Sequence, residues 1–189
     1  MTHAWGNPSL VRSGTTTAIA VRSQDNSLYY YWKRDQDAGW SGDQVEQDGV
    51  ITSDASMARD STATAIVVRD SANGLRYYRN LHGTQRWFMT PVAPSGSIGV
   101  ADPQLANDGT TSSIVSQAPN GEVTFWWKPN TTGSWTPVII EWPNLVGRPA
   151  LSRDTRASRI VAMYNDLTKI KYYRSFHGQN WQGAYIYLH

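Results

Sequence analysis

The sequence has 189 residues, with 17 Lys and Arg against 15 Asp and Glu, and its formal charge of +2 is spread along the chain without a basic run. Nucleic-acid affinity rests on clustered phosphate contacts, so this distribution argues against such a partner. The absence of cysteine excludes disulfides and thiolate metal sites, and the histidines at 3, 82, 177 and 189 lack ligand spacing, so no metal or other cofactor is expected.

Read from the start, the chain offers short β-rich runs separated by turn residues. A first strand is predicted over 9–12, followed by a turn at Ser13-Gly14, and a β-branched strand over 17–21, followed by a turn at Asp25-Asn26. The third strand, Leu28-Tyr29-Tyr30-Tyr31-Trp32, is the most aromatic, and a fourth begins at Trp40. The same four elements then return. The second copy has strands at 56–59 and 65–68, a turn at Asn73-Gly74, the strand 75–79 and Trp87. The third has strands at 104–107 and 113–116, a turn at Asn120-Gly121, the strand 123–127 and Trp135. The last has strands at 150–153 and 159–163, a turn at Asn165-Asp166, the strand 170–174 and Trp181.

Trp40, Trp87, Trp135 and Trp181 are therefore 47, 48 and 46 residues apart, and each copy reads as a four-stranded meander. The third strand is apolar or aromatic at consecutive positions and needs cover on both faces. Radial packing of meanders supplies that cover. The expected fold is all-β, a four-bladed β-propeller of four-stranded antiparallel blades. The blades span about 7–50, 51–98, 99–145 and 146–189 of a single domain, closed within one chain.

A longer period lies beneath the short one. Trp32 and Trp127, Glu46 and Glu141, Arg79 and Arg174, and His82-Gly83 and His177-Gly178 are all 95 residues apart. This indicates a two-blade unit that doubled, with a pseudo-twofold relation between the blade pairs. Residues common to all copies belong first to the scaffold, and inter-blade packing is the first explanation of the repeated Trp. Residues that alternate are not required by the fold. The first strands end in Arg12, Arg59, Asn107 and Arg153, and the arginines are expected to pair with acids such as the adjacent Asp60 and Asp154.

Signatures of nucleophilic, metal-dependent or phosphate chemistry are absent. Glutamates at 46 and 141 would sit on opposite sides of a ring, too far apart for paired-carboxylate glycoside hydrolysis. Aromatic rings stack on the C–H faces of a pyranose while charged and amide groups bond its hydroxyls. Trp32, Glu46, Arg79, Trp127, Glu141 and Arg174, together with Trp40, Trp87, Trp135 and Trp181, are therefore the candidate ligand-binding residues. They would be gathered at the junctions of the first with the second blade and of the third with the fourth.

The chain resembles the tandem-repeat propeller lectins, the group of fucose-binding, PLL-type and tectonin-type proteins. The resemblance rests on blade length, on Ser56 to Asp60, on Asn73-Gly74-Leu75-Arg76-Tyr77-Tyr78 and on the closing Trp. It implies several metal-free monosaccharide sites in clefts between blades. The fucose-specific members carry an Arg in the third strand, a Glu about a dozen residues later and a Trp from the next blade. Arg76 matches the first position, but no Glu follows it before Trp87, and Tyr29 and Thr124 stand at the Arg position in the first and third copies.

The expectation is a multivalent carbohydrate- or glycoconjugate-binding protein, more a binder than an enzyme, and a monomer or small homo-oligomer. The alternatives are a cyclase-type enzyme acting on an apolar small molecule, and a protein-interaction platform. No apolar run reaches the ~18 residues of a membrane span, and the start lacks signal-peptide character, so no membrane insertion is expected and the protein is cytoplasmic or non-classically secreted.

Overall fold

A computed structural model describes residues 4–84, 86–131, 133–141, 145–164, 167–177 and 179–188. The expected turn at Asn165-Asp166, Gly178, and the histidines at 3 and 189 lie outside the described residues. Among the described residues there is no helix, and none is long and apolar enough to cross a membrane.

The chain divides into two compact units, Met1–Ser97 and Ile98–His189. In the first, β1 (Ala4–Ser13), β2 (Thr16–Ser23), β3 (Leu28–Arg34) and β4 (Ser41–Glu46) form one sheet. A second sheet follows, with β5 (Ser56–Arg59), β6 (Ala63–Arg69), β7 (Leu75–Leu81) and β8 (Trp87–Ala93). The second unit repeats the plan. Its sheets are β9 (Gln104–Asn107), β10 (Thr111–Gln117), β11 (Val123–Pro129) and β12 (Thr136–Glu141), then β13 (Leu145–Arg153), β14 (Ala157–Tyr164), β15 (Lys169–Phe176) and β16 (Gln182–Tyr187). Every sheet is an antiparallel meander in chain order. The fold is all-β, with four propeller blades. The strands fall within the expected blade ranges, except that β1 starts at Ala4 and β13 at Leu145.

Turn chemistry sets the hairpins. The turn between the second and third strands needs a left-handed residue, and Asn26 (φ 63°), Asn73 (φ 58°) and Gly121 (φ 86°) occupy this same place in the first three blades. Between the first and second strands, blades two to four use a carboxylate instead. Asp60, Asp108 and Asp154 each accept two backbone N–H groups of their own turn, from Thr62 and Ala63, Thr110 and Thr111, and Arg156 and Ala157.

Within each unit the core lies between the two blades. Leu28 and Tyr30 of β3 and Ala18 and Ala20 of β2 meet Met57, Ile66, Val68 and Tyr78 of the second blade. Phe125 and Val123 of β11 and Val115 of β10 meet Ile160, Ala162 and Tyr173 in the same way. Trp87 packs edge-on against Tyr30, ring centroids 5.1 Å apart, and Trp181 against Phe125 at 4.9 Å. At these two copies the repeated Trp joins one blade to the previous one, worth about 0.5–1.5 kcal/mol beyond area burial.

A bulge recurs at the end of the fourth strand. The register slips between Leu28 and Tyr29 opposite β4, between Leu75 and Arg76 opposite β8, and between Val123 and Thr124 opposite β12. Strict alternation would send adjacent residues to opposite faces. The extra residue lets Val45 enter the core while Glu46, next in sequence, reaches the Tyr78 hydroxyl of the following blade; Ile140 and Glu141 do the same toward Tyr173.

Candidate functional site

Among the described residues each unit has a cleft at the end of its blade junction away from the bulge. In the first unit it is about 570 Å³, lined by Tyr30, Trp32 and Arg34 of β3, Asp43 of β4, Arg59 at the end of β5, and the β7–β8 hairpin with Asn80, His82 and Thr84. Tyr30 and Trp32 are two residues apart on a strand and so share a face, their rings stacked at 5.3 Å. Arg59 donates from Nη1 to the Tyr30 hydroxyl (2.9 Å) and to Thr64 Oγ1 (2.5 Å).

His82 Nδ1 lies 3.1 Å from the Ser61 carbonyl, which only accepts, so this nitrogen carries the proton. Nε2 is then the acceptor for the Thr64 hydroxyl at 3.1 Å. Burial holds the His82 pKa below the ordinary imidazole value, with the Arg59 charge acting in the same direction. The cleft therefore has a neutral imidazole beside a cation and an aromatic wall. No acid lies within ion-pair distance of Arg59 among the described residues.

The second cleft, about 690 Å³, is lined by Phe125, Trp127, Val138, Ile140, Arg153, His177 and Trp181 among others. Trp127 is 38% exposed. Arg153 is held firmly: Nε donates to Asp108 Oδ2 (2.7 Å), and Nη1 to Ser113 (3.1 Å) and Ser158 (2.8 Å). Burial, then the Arg153 charge, lower the His177 pKa.

The candidate ligand residues divide into groups. Trp32 lines the first cleft, and Trp127 and Trp181 line the second. Trp87 touches the back of Tyr30 instead of lining the cleft. Trp40 is half-exposed at the start of β4, and Lys128 lies over the Trp135 ring at 5.3 Å.

Glu46 and Glu141 are not in either cleft. Leu28, the ladder partner of Glu46, is four residues from Trp32, about 13 Å along the strand. The Glu46 carboxylate accepts from Tyr78 Oη (2.7 Å) and Arg76 (3.3 Å). Glu141 accepts from Tyr173 Oη (2.7 Å) and pairs with Lys171. Burial, and then these glutamates, push both tyrosine hydroxyls well above their usual pKa.

Arg79 and Arg174 also fail to join the tryptophans. Tyr78 and Tyr173 face the core of their units, so the next residue on each strand faces the opposite side. Arg79 and Arg174 occupy in the second and fourth blades the place that Trp32 and Trp127 hold in the first and third. The expected convergence of Trp, Glu and Arg at one junction is therefore not formed. Arg174 instead stacks over Phe176 at 3.9 Å.

Two of the first-strand arginines pair with acids, though not with the adjacent ones, Arg12 with Asp35 and Arg153 with Asp108, while Arg59 bonds to Tyr30 and Thr64 instead. Arg12 binds Asp35 through two bonds of 3.0 and 2.7 Å, while Asp60 and Asp154 are engaged by their turns. Arg59 and Arg153 were readable as strand-end arginines; their placement in the clefts was not, because it depends on how the blades meet. Tyr30 and Phe125 were legible only as strand aromatics, yet they form the cleft walls.

No protein-family profile and no curated protein matches the sequence. Solved structures do match. The BP39L lectin from Burkholderia pseudomallei aligns over 96% of this chain and 55% of its own, with a TM-score of 0.81 at 19% identity. The fucose-specific lectin from Aleuria aurantia aligns over 100% of this chain and 67% of its own, with a TM-score of 0.72 at 11% identity. The fold is that of the propeller lectins. SapL1 lectin, crystallised with alpha methyl fucoside, aligns over 95% of this chain and 64% of its own at a TM-score of 0.71 and 11% identity. The chain spans just over half the length of the first of these structures.

Proposed function

We propose that the chain is a carbohydrate-binding, lectin-like propeller in which the cleft of each unit takes part in holding a glycoside. The observation that carries this reading is the pairing of an open tryptophan face with a strand-end arginine and a neutral histidine, repeated once in each unit. Trp32 and Trp127 offer an apolar plate in each cleft, and at Trp32 it suits the C–H face of a pyranose ring. Around Trp32, Arg59 and Asp43 supply a donor and an acceptor for hydroxyls, and His82 keeps its N–H on the protein. The likeness to lectins, one of them crystallised with alpha methyl fucoside, supports the same reading.

Glu46 and Glu141 then act on the ligand only through the packing of the blades. Among the described residues, Asp43 is the one carboxylate lining the first cleft and none lines the second, so neither has the acid pair of a glycoside hydrolase. Shallow sites of this type bind weakly alone, and linkage of two in one chain raises avidity.

A glycan array with the protein at high concentration tests the proposal. Binding should fall in Trp32→Ala and vanish in Trp32→Ala/Trp127→Ala. A flat array with well-folded protein overturns it.

A further inference from the structure

The two clefts are built on the same frame and differ in chemistry at the positions that face a ligand. Three positions offset by 95 residues line the first cleft as Tyr30, Arg34 and Asp43, and in the second unit they are Phe125, Pro129 and Val138. Each change removes a hydroxyl, a cation or a carboxylate. The remaining cation is neutralised too. The first unit has Ser13 where the second has Asp108, and Asp108 takes the Arg153 Nε in an ion pair whose side chains are only 7% and 1% exposed. The same ion pair and the two serines hold both its Nε and its Nη1.

Ser175 is similarly engaged, its one hydroxyl proton directed at the Gln179 carbonyl (2.8 Å) with that of Phe176 at 3.1 Å. The walls of the second cleft are mostly apolar, with Phe125, Trp127, Val138, Ile140 and Trp181, and its polar groups include Thr111, His177, Gln179 and Asn180. A volume near 690 Å³ lies in the range of small-molecule sites.

Resting on the carbohydrate reading above, we propose that the second cleft takes a planar apolar ring, the aryl aglycone of a glycoside, whereas the first takes the sugar itself. The flat walls of Phe125, Trp127 and Trp181 match an aryl ring, and the polar border at Gln179 and Asn180 is placed for the attached sugar. Arg153 Nε and Nη1, Ser158 and Ser175 already bond within the protein, so an apolar ring takes no partner from them. A hydroxyl-rich pyranose would find few open bonding partners there and would lose its water bonds on entry.

Calorimetric titration of matched methyl and p-nitrophenyl glycosides of fucose, mannose, galactose and N-acetylglucosamine tests this, with 2-naphthol as a sugar-free probe. The p-nitrophenyl compounds should bind about ten-fold tighter than the methyl ones, through one aryl site per chain. Val138→Asp and the milder Phe125→Tyr should each remove that gain, with folding checked by circular dichroism. The reciprocal Tyr30→Phe/Asp43→Val variant should raise the number of aryl sites from one to two. Equal affinity of methyl and aryl glycosides overturns the inference, as does a gain that survives both cleft substitutions in folded protein. Tight 2-naphthol binding, lost in Val138→Asp, without any glycoside binding would uphold the apolar cleft and overturn the sugar reading. Methyl glycoside binding without an aryl gain would do the reverse.

Discussion

Glu46→Ala separates a supporting role for this carboxylate from a sugar-binding one. Tyr78 is 1% exposed, and its hydroxyl donates to Glu46 at 2.7 Å. Removing the acceptor leaves a buried hydroxyl without that partner, at a cost of about 1–3 kcal/mol. Arg76 adds little to this, because it keeps its 2.9 Å bond to Asp70. For a chain of this size, 1 kcal/mol shifts the melting temperature by about 2–4 °C, so Glu46→Ala should melt roughly 2–12 °C lower. Deleting the hydroxyl as well, in Glu46→Ala/Tyr78→Phe, should recover much of the loss, since no unsatisfied donor then remains. Melting followed by circular dichroism, alongside titration of a glycan that binds the parent protein, measures both effects. The supporting role requires lower Tm with affinity unchanged within about two-fold. Unchanged melting with lost affinity would refute it and return Glu46 to the ligand.

Three further outcomes are expected. Asp108→Asn removes the charge facing the buried Arg153 and should cost about 3–5 kcal/mol in urea unfolding, whereas Arg12→Ala, breaking an ion pair more than half exposed on both sides, should leave the urea midpoint close to that of the parent. The hydroxyls of Tyr78 and Tyr173 have raised pKa values in the fold, so their stabilisation is complete below the ordinary tyrosine value near ~10 and is lost as pH rises beyond it. Alkaline unfolding should accordingly become shallower in Tyr78→Phe/Tyr173→Phe, and an unchanged pH profile would count against the buried hydroxyls. Asn73 sits at φ 58°, so Asn73→Ala should lose about 1 kcal/mol while Asn73→Gly stays close to the parent in thermal melts.

The repeat itself was legible because each blade must solve the same local problem. A tryptophan beside the fourth strand, an Asn or Gly at the left-handed turn of the first three blades and a run of aromatic strand residues recur at nearly fixed spacing, and spacing survives in one dimension. The 95-residue period was also legible, and it singled out Trp32 and Trp127 for the clefts they line.

What the sequence could not state is which face each alternating residue takes and who meets it across a junction. One bulge residue turns Glu46 inward beside Val45, and one step along β7 turns Arg79 away from Trp32. Strand order and turn type follow from local chemistry, so the amino-acid order alone determined the blades. The content of each cleft depends on side chains brought from separate strands, and there only the packing of one blade on the next decided that Arg59 meets Tyr30 where Arg153 is tied to Asp108.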